Sequence, residues 1–227
     1  MKPIVLMTDS KPYKDARVEI IHLPFIKMKE LPIQHTRQHY DWLIFTSKNA
    51  VDTFFSNYPH VLFTSIAAIG EKTKAYLEDK GYPVDFVPSR YNQECFIAEM
   101  GNRFNEKTIG LPVSSQARPH IYNALKSCAN VDRIELYEPV ANHENVRQAI
   151  QFINAQHIHW ITFMSPSSVA ALNRSSLHSI NVMAIGHVTS DALKKKGIQH
   201  YISALETKES MISTIINIEH ERKGEIK

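Results

Sequence analysis

The chain has 227 residues, of which 43% are apolar and 22% charged, with a formal net charge of +3. This composition is ordinary for a globular protein, and the length allows one large domain or two small ones. No stretch approaches the run of about 20 apolar residues that a membrane-spanning helix requires. The apolar run at residues 4–7 is too short for a secretory signal, so the sequence predicts a cytoplasmic protein.

Lys and Arg alternate with acidic residues along most of the chain, whereas nucleic-acid-binding proteins usually concentrate them in a patch. The one basic run, residues 194–196, ends a predicted helix, where cations complement the helix dipole. Cys95 and Cys128 have no companion at metal-ligand spacing and are predicted to be buried free thiols on helix faces. Neither a nucleic-acid partner nor a bound metal is predicted.

Taken in chain order, the predicted strands alternate with predicted helices. In the first half, strands are predicted at 4–7, 18–23, 42–45 and 66–69, and helices after residue 47, from 70 to 81 and at 95–104. In the second half, strands are predicted at 108–113, 133–137, 160–164 and 182–185, and helices after residue 165, from 186 to 197 and at 211–218. This alternation predicts an α/β fold with parallel sheets and helices on both faces.

An internal repeat is the strongest signal in the sequence. IFTSKNAV at 44–51 corresponds to TFMSPSSV at 162–169, and IGEKTKAYLEDKG at 69–81 corresponds to IGHVTSDALKKKG at 185–197. Four of the chain's seven glycines occupy these segments, namely Gly70, Gly81, Gly186 and Gly197. The two copies span roughly residues 1–105 and 106–227.

Within each copy, the residue types mark where helices begin and end. Ser47 and Ser165 stand at expected helix N-caps, and Pro166 takes the first helical position, where its missing N–H costs nothing. Gly81 and Gly197 are placed as the left-handed residues that follow a helix.

In open α/β sheets, ligands bind beyond the carboxyl ends of the strands, where helix N-termini meet. Both copies carry hydroxyl or amide side chains there: Ser47, Asn49, Thr73, Ser165, Ser167, Ser168 and Thr189. Such ends, with their backbone N–H groups, suit a polyanion bearing many carboxylates. Helix capping is the better explanation of each residue considered alone. The occurrence of hydroxyls at corresponding ends of both copies favours a ligand-binding surface, but the pattern names no ligand.

Several catalytic motifs are absent from the sequence. There is no GxGxxG, no GxxxxGK[ST] and no GxSxG, so dinucleotide, P-loop and serine-hydrolase functions have no support. His35 and His39 have helical spacing but lack the Glu of HExxH, which favours a solvated helix face over a metal site. No pair of carboxylates stands out as a general acid and base.

In their order and spacing, FTSKNAV, IGEKT, FMSPSSV, IGHVT and the tyrosine of IELYEPV (Tyr137) resemble the uroporphyrinogen-III synthase family, from about Leu43 to Ile216. The resemblance implies two doubly wound parallel-sheet lobes joined by a two-stranded β linker. Lobe 1 would comprise residues 1–27 and 141–227, lobe 2 residues 32–134, and the linker strands about 24–31 and 134–141. The first strand of each repeat copy would then belong with the last four of the other copy.

The resemblance also implies an activity. The enzyme would be a cofactor-free, monomeric lyase that cyclises hydroxymethylbilane, a linear tetrapyrrole octacarboxylate, to uroporphyrinogen III in haem and sirohaem biosynthesis. Tyr137 would assist departure of hydroxide, although an ordinary strand tyrosine is the alternative. The substrate-binding residues would be Ser47, Asn49, Gly70, Thr73, Ser115, Arg118, Ser165, Ser167, Ser168, Gly186 and Thr189.

The chain departs from the family pattern in two places. The segment between Thr8 and Val18 is shorter than the helix usual there, and Ser114 and Ser115 replace a glycine-containing turn, with Arg118 left to reach a substrate carboxylate. The alternative function is a non-catalytic, two-lobed cytoplasmic protein that binds an anionic ligand. A nucleotide-dependent transferase is disfavoured because phosphate-binding loops are absent.

Overall fold

The computed structural model describes residues 2–34, 36–173, 177 and 180–224. The chain forms two compact units, the first comprising Met1–Lys27 and Val140–Lys227, and the second Met28–Pro139. Within the described residues, no helix is both long and apolar enough to cross a membrane.

Strands and helices alternate along most of the chain. The elements are β1 (Ile4–Met7), β2 (Glu19–His22), β3 (Ile26–Glu30), β4 (His39–Phe45), α1 (Lys48–Asn57), β5 (Leu62–Ala68), α2 (Glu71–Asp79), α3 (Gln93–Glu99), β6 (Thr108–Ser114), α4 (His120–Lys126), β7 (Asn130–Ala141), α5 (His143–Asn154), β8 (Trp160–Phe163), α6 (Pro166–Ala170), β9 (Asn181–Ala184), α7 (His187–Lys195), β10 (Tyr201–Ile202) and α8 (Lys208–Gly224).

Each unit contains one five-stranded sheet. The order is β10-β9-β8-β1-β2 in the first unit and β3-β7-β6-β4-β5 in the second. All four strand pairs of the first sheet are parallel, as are the pairs of β4 with β5 and β6, and of β6 with β7. The predicted parallel α/β fold is confirmed.

The two repeat copies combine differently from the expectation, in which the first strand of one copy joins the last four strands of the other. The first sheet takes two strands from the first copy, β1 and β2, and three from the second, β8 to β10. The reason is the parallel pairing of β1 with β2, in which Ile4 lies opposite Glu19 and Met7 opposite His22. The segment between these strands returns the chain to the starting end of β1, so β2 stays in the same sheet.

Strand β7 is long because it pairs along two neighbours. Its first part runs parallel to β6 as far as Ser114 opposite Tyr137. Near its end, the backbone N–H of Leu31 donates to the Leu136 carbonyl (3.0 Å), and Lys29 pairs with Glu138 (3.2 Å). Since residue numbers rise along β3 as they fall along β7, β3 is an antiparallel edge strand.

The cores lie on both faces of each sheet, as a doubly wound fold requires. In β1, Leu6 joins a cluster that includes residues of α5, α6 and α7, whereas Val5 and Met7 pack with residues of α8. In β4, Leu43 and Phe45 pack with α1 and α2, whereas Ile44 packs with α3 and α4. Alternate residues of one strand therefore fill opposite cores.

The predicted helix boundaries are confirmed at both copies of the repeat. Ser47 Oγ accepts from the backbone N–H of Ala50 (3.2 Å), and Ser165 Oγ accepts from that of Ser168 (3.3 Å), so both serines are N-caps. After α2 and α7 the chain turns through Gly81 (φ +86°) and Gly197 (φ +63°). Both glycines therefore adopt the predicted left-handed conformation.

Other local predictions were wrong. The helix expected at 95–104 ends at Glu99, because the chain turns at Gly101 with φ +53°. Cys95 and Cys128 are only partly buried, and Cys128 lies beyond the end of α4. In the basic run, Lys194 and Lys195 do lie in the last turn of α7, as predicted, whereas Lys196 Nζ donates to the carbonyls of Val169 (2.8 Å) and Leu172 (2.7 Å) and so stabilises the end of α6.

The left-handed glycines give a stability prediction. Replacing Gly81 with Ala should lower the free energy of unfolding of the second unit by about 1–2 kcal/mol, since a Cβ disfavours positive φ. Gly81→Asn should lose clearly less, because Asn tolerates this conformation. Urea denaturation followed by circular dichroism measures both variants, and equal midpoints for Gly81→Ala and the unmodified protein would contradict the assignment.

Candidate active site

Three residues of the predicted site meet in the second unit, where β4 and β6 end beside Tyr137 of β7. The Tyr137 hydroxyl lies 3.0 Å from Ser47 Oγ, within hydrogen-bonding distance. The backbone N–H of Ser115 donates to the Tyr137 carbonyl (2.9 Å). Tyr137 and Ser47 are 90 positions apart in the chain, and parallel pairing of the strands brings them together.

Tyr137 belongs to the hydrophobic core of the second unit, and its hydroxyl contacts Ser47. The residue is 6% exposed and packs in the cluster that contains Phe45 and Leu136. Ser47 is held in turn by its capping bond to Ala50. Both hydroxyl oxygens are therefore fixed by the surrounding fold.

The hydroxyl pair can always donate one further hydrogen bond. Either Tyr137 or Ser47 is the donor of the bond between them, and each hydroxyl carries a single hydrogen. If Tyr137 donates, the Ser47 hydrogen remains free, and if Ser47 donates, the Tyr137 hydrogen remains free. One O–H hydrogen of the pair is therefore left over in either arrangement.

Arg133 holds the loop that follows β6, and no sequence pattern indicated this role. Its guanidinium donates to the carbonyls of Ser115 (3.0 Å) and Ala117 (3.3 Å) and pairs with Glu135 (2.5 Å). The loop backbone is therefore fixed beside Tyr137. Arg118 lies in the same loop but is 70% exposed and 3.7 Å from Glu94, so it is placed against α3.

The glycine–helix turn of the second unit is open. Gly70 is the N-cap of α2, and nothing lies within 4 Å of the position that a Cβ would take. Thr73 is buried in the first turn, and Asn49 is exposed in the first turn of α1. Nearby, the Glu71 carboxylate raises the pKa of the Tyr91 hydroxyl, because a hydrogen bond between the two groups favours the protonated phenol.

In the first unit, three serines form a network at the start of α6. Ser165 Oγ lies 3.0 Å from Ser167 Oγ and 3.3 Å from Ser168 Oγ. The Ser168 hydroxyl is buried and donates to the Ser165 carbonyl (2.7 Å), which stabilises the helix start. Ser167 is exposed, so Ser165 and Ser167 are the members that a ligand can reach.

The remaining predicted residues of the first unit lie at the start of α7. Gly186 is its N-cap, and Thr189 is buried in its first turn, as Thr73 is in α2. One further buried hydroxyl, Thr8 at the end of β1, donates to the Thr162 carbonyl (2.7 Å). Thr8 could have been found from the sequence, because it is a polar residue directly after a buried strand.

The described part of the chain contains no group of three or more His, Cys, Asp or Glu side chains placed to hold a metal ion. His35 lies outside the described residues. His39 begins strand β4, with Nε2 3.3 Å from Thr64 Oγ1. The prediction that His39 lies on a helix was therefore wrong.

Comparison with known proteins identifies the protein family. Residues 10–213 match the family model described as uroporphyrinogen-III synthase HemD. The chain belongs to the uroporphyrinogen-III synthase family. The resemblance stated from the sequence motifs is thereby confirmed.

Two relatives lie at moderate sequence distance. A porphyrin biosynthesis protein HemD of Ruminiclostridium josui is 26% identical over 223 residues, covering 92% of this chain and 44% of that protein. A putative uroporphyrinogen-III synthase of Methanocaldococcus jannaschii is 26% identical over 194 residues, covering 78% of each chain. The chain thus spans less than half the length of the first relative.

Solved structures of the family share the fold. The uroporphyrinogen-III synthetase of Helicobacter pylori 26695 aligns over 96% of this chain and all of its own, with TM-score 0.65 and 19% identity. A mutant uroporphyrinogen III synthase of the extreme thermophile Thermus thermophilus aligns over 96% of this chain and 99% of its own, with TM-score 0.56 and 16% identity. At these identities the likeness establishes the α/β architecture of the family.

The double role of Ser47 gives a prediction for the site. Ser47→Ala should cost about 1 kcal/mol of unfolding free energy, because the α1 N-cap is lost. Ser47→Asp should recover most of this, since a carboxylate also caps a helix. Urea denaturation measures the difference, and unchanged stability in Ser47→Ala would mean that the capping bond contributes nothing.

Proposed function

We propose that the chain is a uroporphyrinogen-III synthase, a lyase that converts hydroxymethylbilane into uroporphyrinogen III and water. The observation that carries this proposal is the Tyr137–Ser47 hydroxyl pair at the carboxyl edge of a parallel sheet, in a chain of this family. The reaction belongs to tetrapyrrole biosynthesis and leads towards haem and sirohaem.

The proposed reaction has three stages. The C–O bond of the hydroxymethyl group breaks and the oxygen leaves as water, which places an azafulvene cation on the first ring. That methylene carbon then attacks the substituted carbon of the last ring to give a spiro intermediate. Fragmentation and reclosure invert the last ring, and loss of a proton from carbon restores the proton given to the departing hydroxide.

Pyrrole nitrogens supply the electrons that expel the hydroxide, so the protein needs no strong nucleophile. Tyr137 is proposed to donate a hydrogen bond to the departing oxygen, because a phenol is protonated at neutral pH. In this proposed arrangement the phenol accepts a hydrogen bond from Ser47 Oγ, 3.0 Å away, which orients it. A purely structural role of Tyr137 in strand β7 is the alternative to be tested.

Substrate carboxylates are proposed to bind at the exposed helix starts. In the second unit these are the open Gly70 turn and the first turn of α1 with Asn49, and in the first unit Ser165 and Ser167. Backbone N–H groups at helix N-termini attract anions. Holding the linear tetrapyrrole near its cyclic conformation can contribute about 7–11 kcal/mol to lowering the barrier.

The proposal includes a monomeric enzyme acting in the cytoplasm without a cofactor. The absence of a cofactor from this proposal rests on the substrate, whose own pyrrole rings donate the electrons that the reaction needs. Neither a second subunit nor a redox group is needed for the three stages.

The product isomer tests the proposed activity directly. Hydroxymethylbilane generated in situ is mixed with the protein, the products are oxidised, and the porphyrin isomers are separated by liquid chromatography. Isomer III should dominate, because the enzyme directs attack to the substituted carbon. Formation of isomer I alone, as in uncatalysed closure, would reject the enzyme and leave a binding protein for an anionic ligand.

The role of Tyr137 has a separate test. Tyr137→Phe should lower kcat by about 10²-fold or more, because the donor to the leaving oxygen is lost. Ser47→Ala should lower kcat less, since the phenol remains. Circular dichroism confirms that both variants fold. A kcat for Tyr137→Phe equal to that of the unmodified protein would leave this tyrosine with a structural role only.

A further inference from the structure

The two repeated glycine–helix turns differ in what lies over the glycine. Gly70 is open, whereas the Glu206 side chain lies across Gly186, with Cδ 2.6 Å and Cγ 2.8 Å from the position of an added Cβ and Oε1 closer still. The backbone does not itself require glycine, since φ is −131° at Gly70 and −168° at Gly186. A Cβ at residue 186 would therefore require the Glu206 side chain to move.

The counterpart of Glu206 in the second unit is Tyr91. Glu206 precedes Thr207, whose Oγ1 accepts from the Ser210 N–H at the start of α8 (3.1 Å). Tyr91 likewise precedes Asn92, whose Oδ1 accepts from the Cys95 N–H at the start of α3 (2.7 Å).

The strand registers give the same correspondence. Tyr201 lies opposite Met183 in the first sheet, and Phe86 lies opposite Ala67 in the second. Glu206 and Tyr91 follow Tyr201 and Phe86 at the same distance along the chain. One repeat thus carries a carboxylate where the other carries a neutral phenol.

The Glu206 carboxylate lies beside Gly186, at the start of α7. The helix N-terminus bears partial positive charge, and no acidic residue of α7 itself lies in the first turn. Lys208, close to Glu206 in sequence, is engaged elsewhere, because its ammonium group contacts the Asp9 carboxylate and the Lys11 carbonyl. The negative charge of Glu206 therefore acts on any anion that approaches Gly186.

We propose that Glu206 is a specificity-determining residue that closes the α7 turn to substrate carboxylates. Gly186, expected from the sequence to bind substrate, is then covered by the protein's own carboxylate, whereas nothing lies over Gly70. This inference rests on the proposed function and assigns different roles to the two copies of the repeat.

The test uses uroporphyrin III, the oxidised and stable form of the proposed product, which carries the same eight carboxylates. Its affinity is measured by fluorescence titration for the unmodified protein, Glu206→Ala and Glu206→Gln. Both variants should bind about two- to fivefold tighter, the range expected for one charge at a helix N-terminus. With hydroxymethylbilane, KM should fall by a similar factor.

Glu209→Gln is the matched control, because Glu209 is an exposed acid in the first turn of α8 and the same charge is removed. This variant should change the affinity less than either Glu206 variant. The inference is overturned if the Glu206 variants bind no tighter than the unmodified protein, or if Glu209→Gln tightens binding equally. Since Glu206 is exposed, its replacement should leave the fold intact, which circular dichroism checks.

The two proposals fail in distinguishable ways. If the unmodified protein yields only isomer I, the proposed function is rejected, whatever the porphyrin titration gives. If isomer III forms but the Glu206 variants keep the original affinity, the synthase activity stands and the role of Glu206 is rejected.

Discussion

Parallel pairing of the strands is the constraint on which the rest of the structure depends. When neighbouring strands run the same way, their carboxyl ends meet at one edge, and the helices that follow begin there. The Ser47 cap, the Ser115 loop and the Tyr137 hydroxyl converge for this reason, although they come from three separate strands. If one strand were reversed, its polar residues would lie at the opposite edge and the site would not form.

Much of the fold could be predicted because its signals are local. Short apolar runs, a serine before a helix and a glycine after it each report on a few neighbouring residues, and the repeat supplied every signal twice. The interleaving of the copies was harder, since it depends on whether β2 pairs beside β1. The sequence between β1 and β2 does not indicate which sheet the chain enters next.

The site was only partly predictable for the same reason. Ser47 could be identified as a cap from its own surroundings, but its bond with Tyr137 joins residues that are 90 positions apart. Arg133 carries no local sign that it binds the loop carbonyls of Ser115 and Ala117. Glu206 falls where the copies have diverged, so the repeat assigned equal roles to two glycines whose surroundings differ.

The division of the chain has a consequence for how the protein is made. The second unit is a continuous segment, Met28–Pro139, whereas the first needs both Met1–Lys27 and Val140–Lys227. On the ribosome, the second unit can therefore complete its sheet while the first has only β1 and β2. The partners of these two strands, α5 and β8, emerge only after the second unit is complete. The early strands of the first unit are thus the segment most exposed to aggregation during synthesis.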